Sequence, residues 1–195
     1  MVRYKELLGL PGAGKSSYCK KVASNLKFIE ADTDGNIIRL LKCILYSLLN
    51  MKAFFLVIRS LFYVRFNDIL DQFKSIVRLQ ARLWDLRFNN CHNAIYDEGK
   101  AQALWGVFMM VERSKKTEAV FNSLFISVFN GNEHITFLDV AIDVVIARNI
   151  TRNKPNRFEA IIRSKDISKL NVAVGWMELL NQKLTAANLI WKVIR

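Results

Sequence analysis

Short apolar runs alternate along this chain with longer segments in which apolar residues recur every three or four positions. The runs are typical of buried parallel strands, and the periodic segments are typical of amphipathic helices. Five runs predict strands, at positions 4–8, 27–30, 93–97, 134–140 and 188–194. Because helical patterns separate successive runs, the sequence predicts an α/β fold, a doubly wound five-stranded parallel sheet with helices on both faces.

The helical segments differ in how clearly they show one buried face. After position 15, Tyr18, Val22 and Leu26 recur every four residues. Segment 36–66 is strongly apolar and is interpreted as two helices with a bend near Asn50. Further helices are predicted at 67–90, 101–113, 117–130, 143–153 and 166–184. The inward stripes predicted for 67–90 and 166–184 comprise Ile69, Leu70, Phe73, Ile76, Val77, Leu83 and Trp84, and then Ile167, Leu170, Val174, Met177 and Leu184.

One loop joins the first predicted strand to the first predicted helix. Residues 9–16 fit G-x-x-x-x-G-K-[ST], the phosphate-binding P-loop, with every fixed position filled. In this motif the glycines let successive backbone N–H groups point at one phosphate, the lysine reaches the β- and γ-phosphates, and the serine hydroxyl ligates Mg²⁺. We expect Lys15 to be exposed at this site. The predicted nucleotide-binding residues are Gly9, Leu10, Pro11, Gly12, Ala13, Gly14, Lys15, Ser16 and Ser17.

Acidic residues follow the second and third predicted strands, at the edge where ligands collect in open parallel sheets. Asp32 and Asp34 could hold Mg²⁺ or accept a proton from a hydroxyl, or they could form a helix cap and turn. Asp97, followed by Glu98, ends an apolar run in the way that is typical of a strand delivering a carboxylate to Mg²⁺. The predicted metal ligands are therefore Ser16 and Asp97.

Basic residues are concentrated between positions 36 and 90, where nine Lys or Arg accompany three acids. Lys74, Arg78 and Arg82 form a row at four-residue spacing. The row is interpreted as a solvated basic face, and the alternative is an anionic acceptor site or a membrane-facing surface.

Three arginines follow the fourth predicted strand. Arg148 and Arg152 lie four residues apart on one face of the predicted helix, Pro155 ends that helix, and Arg157 follows. On a mobile segment these arginines could close over ATP phosphates and neutralise transition-state charge. The alternative is an ordinary basic helix.

Length and composition fit one domain, 1–195, with a core of its own. The net charge of +12 favours anionic partners. Three cysteines without a C-x-x-C pattern indicate free thiols in a reducing cytosol, and we expect no signal peptide. The longest uncharged run, 119–132, is shorter than the ~18 residues of a membrane-spanning helix. His92 and His134 have no partner at metal-ligand spacing and are interpreted as structural.

With these motifs the chain resembles the P-loop small-molecule kinases (P-loop NTPases), close to thymidylate kinase. The resemblance rests on 9–16, on Asp97-Glu98, on 137–140 with Asp143 and Arg148-x-x-x-Arg152, and on 156–159. It implies that Arg148, Arg152 and Arg157 contact ATP from a LID-like segment at about 143–160. Segment 36–90 is interpreted as a helical cap on the acceptor side. Two features depart from thymidylate kinase: Glu98 stands in place of an arginine that meets the acceptor's phosphate, and the family's adenine-contacting loop and final helix have no counterpart after the fifth predicted strand. The Asp32-x-Asp34 pair is more similar to shikimate kinase, where such acids serve magnesium and the acceptor hydroxyl.

The sequence therefore predicts an enzyme, a kinase that uses ATP and Mg²⁺ to phosphorylate an unidentified small molecule. Its catalytic residues are predicted to be Lys15, Asp32, Asp34, Asp97, Arg148 and Arg152. One alternative is a thymidylate-type nucleotide kinase. The other is a nucleotide-binding module, on a membrane or free of it, that hydrolyses slowly or not at all. We expect a cytoplasmic location. We expect no nucleic-acid partner.

Overall fold

The computed structural model describes residues 4–22, 27–29, 35–88, 94–131, 133–151 and 157–194. Several residues named above lie outside these ranges: Leu26, Asp32, Asp34, His92, Arg152 and Pro155. Cys91, one of the three cysteines, lies outside them as well.

Five parallel strands form one sheet, as predicted. They are β1 (Tyr4–Leu8), β2 (Lys27–Ile29), β3 (Ala94–Tyr96), β4 (Glu133–Leu138) and β5 (Ile190–Ile194). Their order across the sheet is β2-β3-β1-β4-β5. Because β1 is flanked by β3 and β4, the loops that leave these three strands meet at one edge.

The helices connect the strands and follow the predicted sequence of elements with one addition. They are α1 (Lys15–Val22), α2 (Asn36–Leu49), α3 (Met51–Ser60), α4 (Ile69–Phe88), α5 (Lys100–Phe108), α6 (Lys115–Val128), α7 (Ile142–Ile150), α8 (Arg157–Arg163) and α9 (Ile167–Ala186). Two short 3₁₀ turns, Leu61–Tyr63 and Phe66–Asp68, precede α4. The sequence pattern did not predict α8, which buries four of its seven residues.

The bend predicted near Asn50 is confirmed. The Asn50 side chain accepts a hydrogen bond from the Ala53 N–H at 3.2 Å, so it ends α2 and caps α3. Of the helices in the described ranges, none is by itself long and apolar enough to cross a bilayer. Helix α2 together with Met51–Tyr63 meets that criterion by length and composition, and the two parts are bent by 118°.

Side chains of the strands are buried on both faces of the sheet, which confirms the doubly wound arrangement. Leu7 and Leu138 pack with Cys19 of α1 on one face. Leu8 and Ile135 belong to the larger cluster on the other face, which also includes residues of α4, α5, α6 and α9. Consecutive residues of β1 thus point to opposite layers.

The predicted inward stripe of α4 is partly wrong. Leu70 and Phe73 are 75% and 45% exposed, whereas Gln72 is fully buried. The Gln72 side chain donates to the Val107 carbonyl at 2.5 Å and to the Ser60 hydroxyl at 3.1 Å. Hydrogen bonds inside the protein therefore let a polar face of α4 turn inward. Two other residues predicted to face inward, Val22 (39%) and Ile167 (70%), are also exposed.

Candidate active site

The P-loop lies between β1 and α1, the context that its motif requires. Gly12 and Gly14 have φ values of +94° and +91°, in the left-handed region that favours glycine. A Cβ atom at Gly9 would lie 2.9 Å from the Leu138 carbonyl oxygen of the neighbouring strand. Gly12 and Gly14 therefore allow left-handed backbone conformations, and Gly9 allows the loop to pass close to the backbone of β4. Helix α1 begins directly after the loop, at Lys15.

Lys15 is buried rather than exposed, with 8% of its surface accessible. Its ammonium group donates to the Gly9 carbonyl at 2.9 Å and to the Leu10 carbonyl at 3.5 Å. The expectation of an exposed lysine was wrong because carbonyl groups of the loop itself lie within its reach. The charge of Lys15 is thus held at the loop whose N–H groups are predicted to bind phosphate.

The structure brings Ser16 and Asp97, the two predicted metal ligands, into contact. The Ser16 hydroxyl donates to Asp97 Oδ2 at 2.9 Å, because β3 and β1 are neighbours and both chains leave the sheet at the same edge. Asp97 Oδ1 is buried and makes no hydrogen bond within the described part of the chain.

This pair fits a Mg²⁺ ion that is shared with a nucleotide. Mg²⁺ in phosphate-binding sites takes one or two protein oxygens and completes its shell with phosphate and water. The described residues hold no cluster of three or more His, Cys, Asp or Glu that could bind a metal without such help.

Helix α7 lies against the P-loop through Arg148 and Asn149. Arg148 Nη1 donates to the Gly12 carbonyl at 3.2 Å, and Asn149 Nδ2 donates to the Pro11 carbonyl at 2.5 Å. A Cβ at Gly12 would lie 2.4 Å from Asn149 Nδ2, so this contact also requires a glycine. No local pattern marks Asn149 as a functional residue, because a single polar residue in a helix is ordinary.

A cleft of about 1780 Å³ extends from the P-loop to α4. Trp105 and Phe158 form an aromatic part of its lining, with ring centroids 5.8 Å apart. Besides Lys15, Lys21 and Arg148 near the P-loop, five basic side chains line the cleft: Arg39 of α2, Lys74, Arg78 and Arg82 of α4, and Arg157 of α8. The acids Asp71 and Asp85 of α4 line it as well. The row on α4 therefore borders the cleft, Lys74 and Arg78 are also exposed to solvent, and an anionic acceptor site stays a prediction.

Arg157, the first residue of α8, lies against α4. Its guanidinium donates to the Ser75 hydroxyl. Burial lowers the pKa of Arg157, Asp71 opposes that shift, and the nearby charge of Arg78 lowers it further. The guanidinium groups of Arg157 and Arg78 thus lie close together in the cleft. A contact between Arg157 and ATP stays a prediction.

Glu6, in the middle of β1, is a fully buried carboxyl that the sequence analysis missed. Its Oε1 accepts from the Gln102 N–H at 3.0 Å, in the first turn of α5. A Cβ at Gly99 would lie 2.3 Å from Glu6 Cδ, so the chain passes directly over this carboxyl group. Glu6 therefore positions the segment that joins Asp97 to α5.

Burial raises the pKa of Glu6 to about 7 from 4.5, although the Gln102 N–H and Lys100 lower it. Between pH 4.5 and 7 the folded state therefore binds more protons than the unfolded state, and stability falls as the pH rises through this window. We expect this group to remove about 3 kcal/mol of unfolding free energy between pH 4.5 and pH 7. Urea unfolding of wild type and Glu6→Gln across this window should show a flatter profile for the variant, and parallel profiles would contradict the assignment.

His134 and the two cysteines within the described ranges have structural roles. His134 stacks on Trp191 with ring centroids 4.7 Å apart and 9° between the planes. Cys19 and Cys43 are free and buried, and burial raises the pKa of Cys19 to about 12. Both thiols thus remain protonated and unreactive at neutral pH.

No protein-family model matches this sequence, and no curated protein matches it. Among solved structures, the chain is similar to deoxyadenosine kinase from M. mycoides with bound dATP. The TM-score is 0.57, the sequence identity is 14%, and the similarity covers 99% of this chain and 90% of that chain. The similarity shows that the two chains share a fold.

Proposed function

We propose that this protein is a kinase that transfers the γ-phosphoryl group of ATP, with Mg²⁺, to a small molecule bound in the cleft. The observation that carries the proposal is the contact of Ser16 with Asp97 beside the P-loop, at one end of a cleft whose other end has a cationic wall. The cleft continues from the P-loop to α4, so it has room for an acceptor beside the nucleotide.

The residues of the site divide the work of phosphoryl transfer, which needs positioning and charge neutralisation more than covalent help. The N–H groups of the P-loop and Lys15 bind the ATP phosphates. Ser16 and Asp97 hold Mg²⁺, which neutralises phosphate charge when bound. Arg148, placed over Gly12, is close enough to the loop to neutralise charge on the transferring group.

The acceptor side of the cleft supports two kinds of substrate. The similarity to deoxyadenosine kinase supports a nucleoside, and the cleft also touches Trp105 and Phe158, whose side chains are almost fully buried in the core. The guanidinium groups of Arg78 and Arg82 support an acceptor that already carries a phosphate, as in a thymidylate-type kinase. We place the nucleoside first, because deoxyadenosine kinase is a solved structure to which this chain is similar over 99% of its length.

Release of ADP from Mg·ATP, measured with and without each candidate acceptor, tests the proposal. The panel comprises nucleosides, nucleoside monophosphates, sugars and other small alcohols. We expect a nucleoside to raise the rate above the water-only background. If no acceptor does so, the protein is better described as a nucleotide-binding module. If only nucleoside monophosphates raise the rate, the acceptor is one that already carries a phosphate, bound by Arg78 and Arg82.

Asp97→Asn should raise the Mg²⁺ concentration that gives half-maximal activity by about tenfold or more, the scale for losing a group that supports a bound metal. The reason is the loss of a carboxylate next to the Ser16 hydroxyl. Glu98→Gln is the matched control, since it removes the adjacent charge and should leave the Mg²⁺ dependence unchanged. Equal Mg²⁺ dependence of wild type and Asp97→Asn would remove Asp97 from the metal site.

A further inference from the structure

Helix α2 turns its apolar side away from the protein. Its most apolar residues lie on the outside, each between 44% and 77% exposed: Ile37, Ile38, Leu40, Leu41, Ile44, Leu45, Leu48 and Leu49. Its two charged residues lie on the other side, where Arg39 lines the cleft and Lys42 pairs with Asp85 at 2.5 Å. An amphipathic helix on a protein surface normally has the reverse orientation.

The exposed apolar surface continues into α3. Met51 and Phe55 are 51% and 60% exposed, and Lys52 and Arg59 are exposed on the same side of the helix at spacings of three and four residues. Phe62 and Phe66, in the following turns, are more than four-fifths exposed. A contiguous surface of this kind marks an interaction site rather than scattered exposed residues.

The charge of this segment distinguishes between partners. Between positions 36 and 67 there are five Lys or Arg and no Asp or Glu. Arg39 and Lys42 lie on the inner side of α2, and Arg65 pairs with Glu112 at 3.1 Å, so the outer face carries the charges of Lys52 and Arg59. A second copy of the same face would bring these like charges together, which disfavours self-association across it. The surface of an anionic bilayer offers acyl chains to the apolar residues and lipid phosphates to the cations.

We propose that α2 and α3 dock this protein onto the surface of an anionic lipid bilayer. The leucine and isoleucine side chains of α2 enter the boundary between headgroups and acyl chains, while Lys52 and Arg59 reach the lipid phosphates. Because Arg39 on the inner side of α2 lines the cleft, docking through the outer side brings the cleft close to the membrane. The proposal is independent of the reaction in the cleft.

Co-sedimentation of the full chain with vesicles tests this docking. Vesicles of phosphatidylcholine with phosphatidylglycerol should bind the protein, high salt should release it, and vesicles of phosphatidylcholine alone should bind it far less. Ile37→Gln/Leu48→Gln should lower binding by about tenfold or more, because two inserted side chains become polar. The matched control is Ile126→Gln/Ile167→Gln, whose native side chains are 77% and 70% exposed, against 77% and 68% for the α2 pair.

A second variant tests the electrostatic part. Lys52→Gln/Arg59→Gln should lower binding to the anionic vesicles by roughly 25-fold, at about fivefold for each cation near the surface. Thermal unfolding should be the same for all these variants, because the replaced side chains are exposed.

Three outcomes would overturn the proposal. The first is equal sedimentation with anionic and neutral vesicles. The second is unchanged binding of Ile37→Gln/Leu48→Gln. The third is a wild-type dimer that this variant converts to a monomer without any vesicle binding, which would assign the surface to self-association.

Discussion

Lys15→Ala is expected to lower kcat/KM for Mg·ATP turnover by about 10²–10³-fold, the scale for removing one preorganised charged group from an active site. The ammonium group of Lys15 is held at the P-loop by the Gly9 and Leu10 carbonyls, so it meets the phosphates without a large rearrangement. Its charge matters most when negative charge moves between the phosphate oxygens. The loss should therefore appear in kcat as well as in ATP affinity.

Calorimetric titration with Mg·ATP and steady-state ADP release measure the two parts of this effect. Lys20→Ala is the matched control, because Lys20 is an exposed lysine on the same helix. Thermal unfolding must accompany both variants, since Lys15 is buried and its removal leaves two loop carbonyls without this donor. A folded Lys15→Ala protein with wild-type affinity and turnover would show that the loop does not bind nucleotide.

The part of the site that could be predicted from sequence is the part that local rules determine. Two left-handed glycines, a strand before them and a helix after them define the P-loop within a few consecutive residues. Asp97 is distant in sequence, but a parallel sheet brings the ends of its strands to one edge, so its contact with Ser16 follows from the order of the elements.

The residues that could not be predicted act across long sequence separations. Glu6 supports the first turn of α5 across 96 positions, and Asn149 contacts Pro11 across 138. Neither contact has a local pattern, because it depends on which helix packs over which strand. The basic row on α4 illustrates the same limit, since periodicity places three cations on one face and only the packing of α4 puts that face in the cleft.

Periodicity also cannot tell which side of an amphipathic helix faces the protein. The apolar residues of α2 and the cations Arg39 and Lys42 lie on opposite sides of the helix, and the sequence alone favours burying the apolar side. The structure buries the side that carries the cations, because Lys42 finds Asp85 and Arg39 lines the cleft. Because the inner side of α2 offers partners to its charged groups, the helix is oriented with its apolar side outward.

The second large effect is expected from a buried ion pair behind the site. Lys100, the first residue of α5, donates to the Glu133 carboxylate at the start of β4 and to the Val128 carbonyl at 2.8 Å. Glu133 also accepts from the Gly131 N–H at 3.0 Å. Both side chains are almost fully buried, and burial lowers the pKa of Lys100 while Glu133 raises it.

Lys100→Met should lower the free energy of unfolding by about 3–5 kcal/mol, because it leaves the Glu133 charge buried without its cation. Lys74→Met is the control: Lys74 pairs with Asp71 at 3.1 Å on the surface, where the loss of a pair costs about 0.5 kcal/mol. Urea unfolding measures both. Adding Glu133→Gln to Lys100→Met should recover much of the loss, since the amide oxygen still accepts from Gly131 and no buried charge remains. Equal destabilisation by Lys100→Met and Lys74→Met would show that this pair does not anchor α5, and with it the chain that follows Asp97.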